Sequence, residues 1–330
     1  MRAAVADAIP TSELRVADGL DSLQGEADAV VNVEACGICG TDLHILAGDS
    51  YRPATPFVLG HEPVGRLAVD VPERGLSAGQ LVTMTIFEGC GHCEFCLGGE
   101  ERLCQQLRSI VGVDRRWGGF AERLAIPRAQ LVAVPEMLSA DVAASLVDAG
   151  ATAANSARAI SQFESSGLVV LGGGPVGLLT AEIARHDGCT PTVIEPNALR
   201  RRELAARSFE TESSIGALVH RAAIDCVVDC VGAPDVVGPA LELLRPHGTL
   251  VVVGYTRVNV DFSLIARKEL RVVGIRSGNR KDLERALMLV SAGSVQAPPI
   301  ESFSLDQINQ ALHALRAGEL GGKAVINPVR

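Results

Sequence analysis

The densest chemistry in the chain lies between Cys36 and Glu62, in ACGICGTDLHI followed by VLGHEPVG. A thiol (Cys39), a hydroxyl (Thr41), two imidazoles (His44, His61) and two carboxylates (Asp42, Glu62) fall there, among glycines at Gly37, Gly40, Gly60 and Gly65. Thiolate sulfur and neutral imidazole nitrogen are preferred zinc ligands. A catalytic zinc takes three protein ligands and leaves one position for water or substrate. Cys39 and His61 are the first two candidates for such a site. Taken singly, a cysteine is more often a small buried apolar side chain, and a histidine a surface residue.

A second group, Cys90, Cys93, Cys96 and Cys104, follows the spacing C-x2-C-x2-C-x7-C. Four thiolates this close in sequence can wrap one tetrahedral zinc and leave no position open, which makes the role structural. The loop GCGHCEFCLGGEERLC is polar and glycine-bearing, so it offers no core for four thiols to fill. An iron-sulfur run would end C-x3-C-P, and this one does not. His92, inside the loop, reads as solvated.

A third group is Gly172-Gly173-Gly174-Pro175-Val176-Gly177, directly after the apolar run LVVL. It fits G-x-G-x-x-G between a strand and a helix. Gly172 permits the tight turn, Gly174 lets the backbone approach a pyrophosphate, and Gly177 allows the helix to pack closely on the sheet. Pro175 and Val176 open a helix whose positive end would face the phosphates. Glu195 closes the next apolar run, TPTVIE, where a carboxylate accepts ribose hydroxyls and repels a 2′-phosphate. NAD is therefore expected over NADP. Arg200, Arg201 and Arg202 follow and could neutralise a phosphate, although such a run is usually a solvated helix face.

The elements around these groups divide the chain in two. Up to Pro135 the pattern is one of short strands broken by Pro and Gly, such as VVNVEA and LVTMTIF. SADVAASLVDAGATAANSARAI is helical in composition, with Ser139 as its N-cap. From Gly167, continuous Val/Leu/Ile runs alternate with helices: LVVL, TPTVIE, DCVVDCVG, GTLVVVGY and ELRVVGI. Such runs indicate a parallel sheet buried on both faces. The tail has two helical stretches and ends in a strand, GGKAVINP. The 330 residues are 47% hydrophobic and 3% aromatic with a net charge of -9 and no basic run. This argues against nucleic acid and anionic membranes and for small-molecule partners. No apolar run reaches membrane-span length, and no signal sequence is evident. A cytoplasmic protein with reduced thiols is expected.

Several of these motifs together resemble the medium-chain, zinc-dependent alcohol and polyol dehydrogenases. They are CGICGTDLH, GHEPVG, the four-cysteine lobe, GGFAE at Gly118–Glu122, VDAGATA, GGGPVG and GGKAVI, in the family's order over nearly the whole chain. The resemblance implies an α/β protein: a Rossmann-type doubly wound parallel sheet plus a GroES-like β-barrel catalytic domain. The catalytic domain would be split, residues 1–148 and 276–330 with the zinc lobe at about 88–106, around a dinucleotide domain at 149–275. It implies that Asp148 joins Cys39 and His61 on the catalytic zinc, and that Asp42 orients His61. Thr41 would bond the substrate hydroxyl, His44 would relay its proton, and Glu62 would help exchange the metal's water. Val231, Arg200 and Lys323 would join the glycine loop and Glu195 in holding the cofactor. Two departures stand out. The segment 207–225 is short, so the third dinucleotide-domain strand would be missing or abbreviated, and Gly79-Gln80-Leu81-Val82 replaces the usual Gly-Asp-Arg-Val.

The expected activity is hydride transfer between a secondary alcohol (polyol, sugar, cyclitol or amino alcohol) or its ketone and NAD. Two zincs per chain, one catalytic and one structural, and a homodimer or homotetramer go with it. The alternatives are a zinc-independent enone or quinone reductase of the same fold and a non-catalytic NAD-binding protein.

Overall fold

The computed structural model describes residues 1–21, 29–160, 167–221, 224–255 and 257–329. The chain divides into two compact units. The first is Met1–Asp148, Asn279–Ser291 and Pro299–Arg330; the second is Ala149–Gly278 and Ala292–Pro298.

The first unit is built on a mainly antiparallel sheet of seven strands. Its order is Leu131–Ala133, Leu81–Met84, Glu62–Leu67, Ala29–Gly37, Lys323–Asn327 and Ile300–Ser304, with Arg123–Ile126 also paired to Ala29–Gly37. The central strand AVVNVEACG buries Val31, Val33 and Ala35 and turns Asn32 outward, the period-two pattern of a half-buried strand. Its register places Gly37 opposite Glu62 and also beside Val325. Three strands thus end together, and the Cys39 cluster stands at that place.

The second unit carries a six-stranded parallel sheet. Its order is Glu210–Glu212, Pro191–Ile194, Leu168–Leu171, Ile224–Asp229, Leu244–Val252 and Arg271–Gly274, or 3-2-1-4-5-6 along the chain. Leu168–Leu171 and Pro191–Ile194 are buried at every position, as helices on both faces require. The chain reverses its direction of growth between Leu168–Leu171 and Ile224–Asp229, the switch point where such sheets bind ligands.

Two expectations need correction. The strand Arg271–Gly274 has no fully buried residue, because it is an edge strand paired on one side only. The third strand, expected to be missing or abbreviated, is abbreviated, at Glu210–Glu212, and is followed by a 3-10 helix, Ile215–Arg221. Residues 276–278 and 292–298, expected with the catalytic half, belong to the second unit. There Arg207 donates to the carbonyls of Gln296 at 3.0 Å and Ala297 at 2.8 Å, while also pairing with Glu203 and Glu182. Among the described residues no helix is long and apolar enough to cross a membrane.

Candidate metal and dinucleotide sites

Cys39 is the N-cap of the helix Gly40–Ala47. Its sulfur accepts the Thr41 N–H at 3.2 Å, and its own N–H donates to Asp42 Oδ2 at 2.9 Å. This reciprocal capping fixes the thiol by backbone geometry before any metal arrives. His61 Nε2 lies 3.2 Å from Cys39 Sγ and 3.7 Å from Asp148 Oδ2. Its other nitrogen, Nδ1, is 3.5 Å from Asp42 Oδ1, and His61 and Asp42 are buried. The structure thus brings Cys39, His61 and Asp148 around one nitrogen and puts Asp42 behind the ring, where an orienting carboxylate belongs.

The electrostatics fit a cation. Burial works against charging His61, yet the negative groups Cys39, Asp42 and Asp148 outweigh it and hold the imidazole well above its usual pKa. A thiol, an imidazole and carboxylates packed out of water are a poor core and a good divalent-ion site. The donors also form two overlapping groups of metal-binding type, Cys39 with Asp42 and His61, and His61 with Glu62 and Asp148.

Glu62 is buried, and burial pushes its carboxyl above the usual range against the opposing pull of Lys323. The Lys323 ammonium donates to Glu62 Oε1 at 2.7 Å and is itself buried. Burial works to lower the Lys323 pKa, but the charges of Glu62, Cys39 and Asp148 prevail and raise it. Lys323, expected to hold the cofactor, is in this structure a buried counter-charge for Glu62. Thr41 and His44 are three apart in one helix, so they share a face. His44 is exposed, with Nδ1 3.0 Å from Asp49 Oδ1. Asp49 was not legible as a partner; the left-handed Gly48, at φ +74°, ends the helix and turns the chain back to it.

In the lobe, Cys90 and Cys96 sulfurs are 3.9 Å apart, and Cys93 and Cys104 sulfurs 3.8 Å apart. Zinc–sulfur bonds of about 2.3 Å at tetrahedral angles separate ligand sulfurs by about 3.8 Å, whereas a disulfide needs about 2 Å. All nine cysteines are free. The amides of Cys90, Cys93 and Gln106 donate to these sulfurs. Backbone bonding at His92, partly opposed by desolvation, brings Cys90 down to about 6, while burial pushes Cys96 up to about 12. Sulfurs this close titrate as one unit. Cys226, outside the lobe, is buried between sheet and helices, and Cys189 and Cys230 are partly buried in the same core.

In the second unit, Gly172 takes φ +91°. A side chain on Gly177 would stand 1.8 Å from the Gly172 carbonyl oxygen. Gly174 caps the helix Pro175–His186, and the space beside it is open except for Arg200 Nη1 at 3.9 Å. The Glu195 carboxylate is buried and accepts the N–H groups of Gly173 and Asn197, each at 2.7 Å. Arg200 Nη1 is 3.9 Å from Glu195 Oε2, and its buried Nε has no hydrogen-bond partner. Val231, half exposed, leans its methyl toward Gly172. Loop, acid, guanidinium and Val231 stand at the carboxyl ends of the first, second and fourth strands, an arrangement that fits a dinucleotide.

Residues 25–136 match the family described as the alcohol dehydrogenase GroES-like domain, and residues 175–292 that described as zinc-binding dehydrogenase. L-threonine 3-dehydrogenase of Shewanella halifaxensis is 30% identical, covering 92% of this chain and 93% of its own length. The chain belongs to the medium-chain, zinc-dependent alcohol and polyol dehydrogenases. This dehydrogenase is also similar to L-galactonate-5-dehydrogenase of Escherichia coli, at 28% identity over 83% of each chain. The alcohol dehydrogenase of Aeropyrum pernix superposes on it with a TM-score of 0.91 at 25% identity, covering 99% of this chain and 100% of that one. Membership makes the chain an oxidoreductase of the zinc-dependent class, and its two sulfur-bearing clusters are compatible with two zincs. A zinc-independent reductase is not favoured.

Proposed function

We propose that this dehydrogenase transfers a hydride between a secondary alcohol and NAD, with zinc held by Cys39, His61 and Asp148. The observation that carries the reading is His61 Nε2 facing both Cys39 Sγ and Asp148 Oδ2 while Nδ1 faces Asp42. Zinc bound there would act as a Lewis acid that stabilises negative charge developing on the alcohol oxygen. The chain's own groups do the rest. Asp42 keeps the ring turned, the Thr41 hydroxyl takes the alcohol proton, and His44 on the same helix face passes it to solvent. Asp49 holds His44 Nδ1 and so leaves Nε2 to exchange the proton. The four-cysteine lobe holds the second, structural zinc.

Glu195 supports NAD as the cofactor. Its carboxylate is fixed by two amides, and it lies across from Arg200, so the positive charge nearest the ribose end is already opposed. Arg201 donates to the carbonyls of Glu195 and Pro196 and is likewise engaged. The relatives' names, threonine, galactonate and sorbitol dehydrogenase, support a polyhydroxy or amino-alcohol substrate. An exposed edge strand, Arg271–Gly274, supports a homodimer or homotetramer. Free thiols throughout support a cytoplasmic setting.

The test is an alcohol panel of polyols, sugars, cyclitols and amino alcohols, read as NADH absorbance with NADP in parallel. Turnover with NAD that disappears in Cys39→Ala and Asp148→Asn, while NAD binding persists, is the expected outcome. A Cys39→Ala protein of undiminished activity would refute the reading.

A further inference from the structure

Glu62 and Lys323 form a buried lysine–carboxylate ion pair, and it touches the candidate metal site. Glu62 follows His61 directly, and a Glu62 oxygen lies within 4.8 Å of ligand atoms on both His61 and Asp148. That is close enough for the carboxylate to become a metal ligand itself. Its charge is instead directed at Lys323, whose ammonium reaches both oxygens, Oε1 at 2.7 Å and Oε2 at 2.5 Å.

The backbone is shaped for this pairing. Gly37 lies opposite Glu62 in the sheet and beside the Lys323–Asn327 strand. A β-carbon on Gly37 would stand 2.3 Å from Glu62 Oε2 and 2.9 Å from Lys323 Cε. The carboxylate and the lysine stem therefore occupy the volume that any other residue at position 37 would fill.

We propose that Lys323 is a positioning residue that acts through Glu62, holding its carboxylate beneath Gly37 so that the metal's fourth position stays open to the alcohol. The inference rests on the proposed Cys39–His61–Asp148 site and adds to it a reason for the lysine. A buried carboxylate without its counter-charge is costly. Once the ammonium is removed, the nearest cation for Glu62 is the metal. A ligand competing with Glu62 for the open position then binds with an affinity reduced by the fraction of time the position is free.

The test uses the holoenzyme with cobalt(II) in place of zinc, whose visible spectrum reports the ligands, and imidazole as the competing probe. Lys323→Met should change the cobalt spectrum before any imidazole is added. It should also raise the apparent imidazole Kd roughly tenfold if Glu62 holds the position about nine-tenths of the time. Lys323→Arg should stay close to wild type, and adding Glu62→Gln to Lys323→Met should restore the wild-type imidazole affinity. If Lys323→Met does not fold, Gly37→Ala replaces it, because the new methyl pushes the same carboxylate off the ammonium and should give the same shift. An unchanged spectrum and affinity in the folded variant, or a double variant that behaves like Lys323→Met, would overturn the proposal while leaving the metal site intact. A wild-type protein with no thiolate–cobalt band assignable to Cys39 would instead overturn the site, and the proposal with it.

Discussion

Replacing Gly177 by Ala tests the dinucleotide half at its tightest contact. The added β-carbon would meet the Gly172 carbonyl oxygen at 1.8 Å and its carbon at 2.9 Å. That contact must open by roughly 1 Å before it reaches even a strained non-bonded separation. Both sides are backbone, so no side chain can rotate away; the helix Pro175–His186 must lift off the strand Leu168–Leu171. Overpacking of this kind costs about 1–3 kcal/mol. Alanine's better helix propensity returns somewhat under 1 kcal/mol. The net loss should lower the melting temperature by about 2–8 °C in a unit of this size. Because the displaced turn is the one proposed to meet the pyrophosphate, the NAD Kd should rise by about tenfold or more, each 1.4 kcal/mol being one decade. Calorimetry for Tm and NAD titration followed by fluorescence measure the two effects, with zinc content as the control, since both candidate metal sites lie in the other unit. A Gly177→Ala protein with unchanged Tm and unchanged NAD affinity would refute the reasoning from close approach.

Cys93→Ser should reduce zinc from two to one per chain and lower Tm by at least about 5 °C; retention of both zincs in metal analysis would remove the lobe as a metal site. Arg207→Ala should cost about 3 kcal/mol in urea unfolding, because it frees the carbonyls of Gln296 and Ala297 and leaves buried Glu182 with Arg185 alone. A loss under about 0.5 kcal/mol would show that this side chain does not hold 292–298 in place. Burial pushes the thiol of Cys226 up to about 12. At pH 8 only about one molecule in ten thousand carries that thiolate, and it should escape iodoacetamide in the native enzyme; its rapid labelling, read by peptide mass spectrometry, would contradict that burial.

What was legible in the sequence is what short range and sterics dictate. The glycine loop can be read because each glycine answers a local contact, and the lobe because its four donors lie within a single loop. Cys39 and His61 are also close in sequence, with only the helix Gly40–Ala47, a loop and the short strand Phe57–Val58 between them. The Glu62–Lys323 pair was not legible: the two residues are 261 positions apart, and only the register of three neighbouring strands brings them together. For the same reason the sequence places Lys323 only with the cofactor, as the resemblance implies, and does not show its pairing with Glu62. The strand Arg271–Gly274 carries the Val-rich signature of a buried strand, but burial depends on neighbours that a one-chain edge lacks. Residues 292–298 were misassigned because their anchor, the Arg207 guanidinium, comes from a distant helix end.

The proposed catalytic site has one ion gripped by Cys39, His61 and Asp148. Anomalous diffraction at the zinc edge on crystals of the native protein locates such an ion. A peak is expected about 2.0–2.3 Å from Cys39 Sγ, His61 Nε2 and an Asp148 oxygen together, besides the one in the cysteine lobe. An active enzyme with zinc in the lobe and no peak among those three atoms would contradict it.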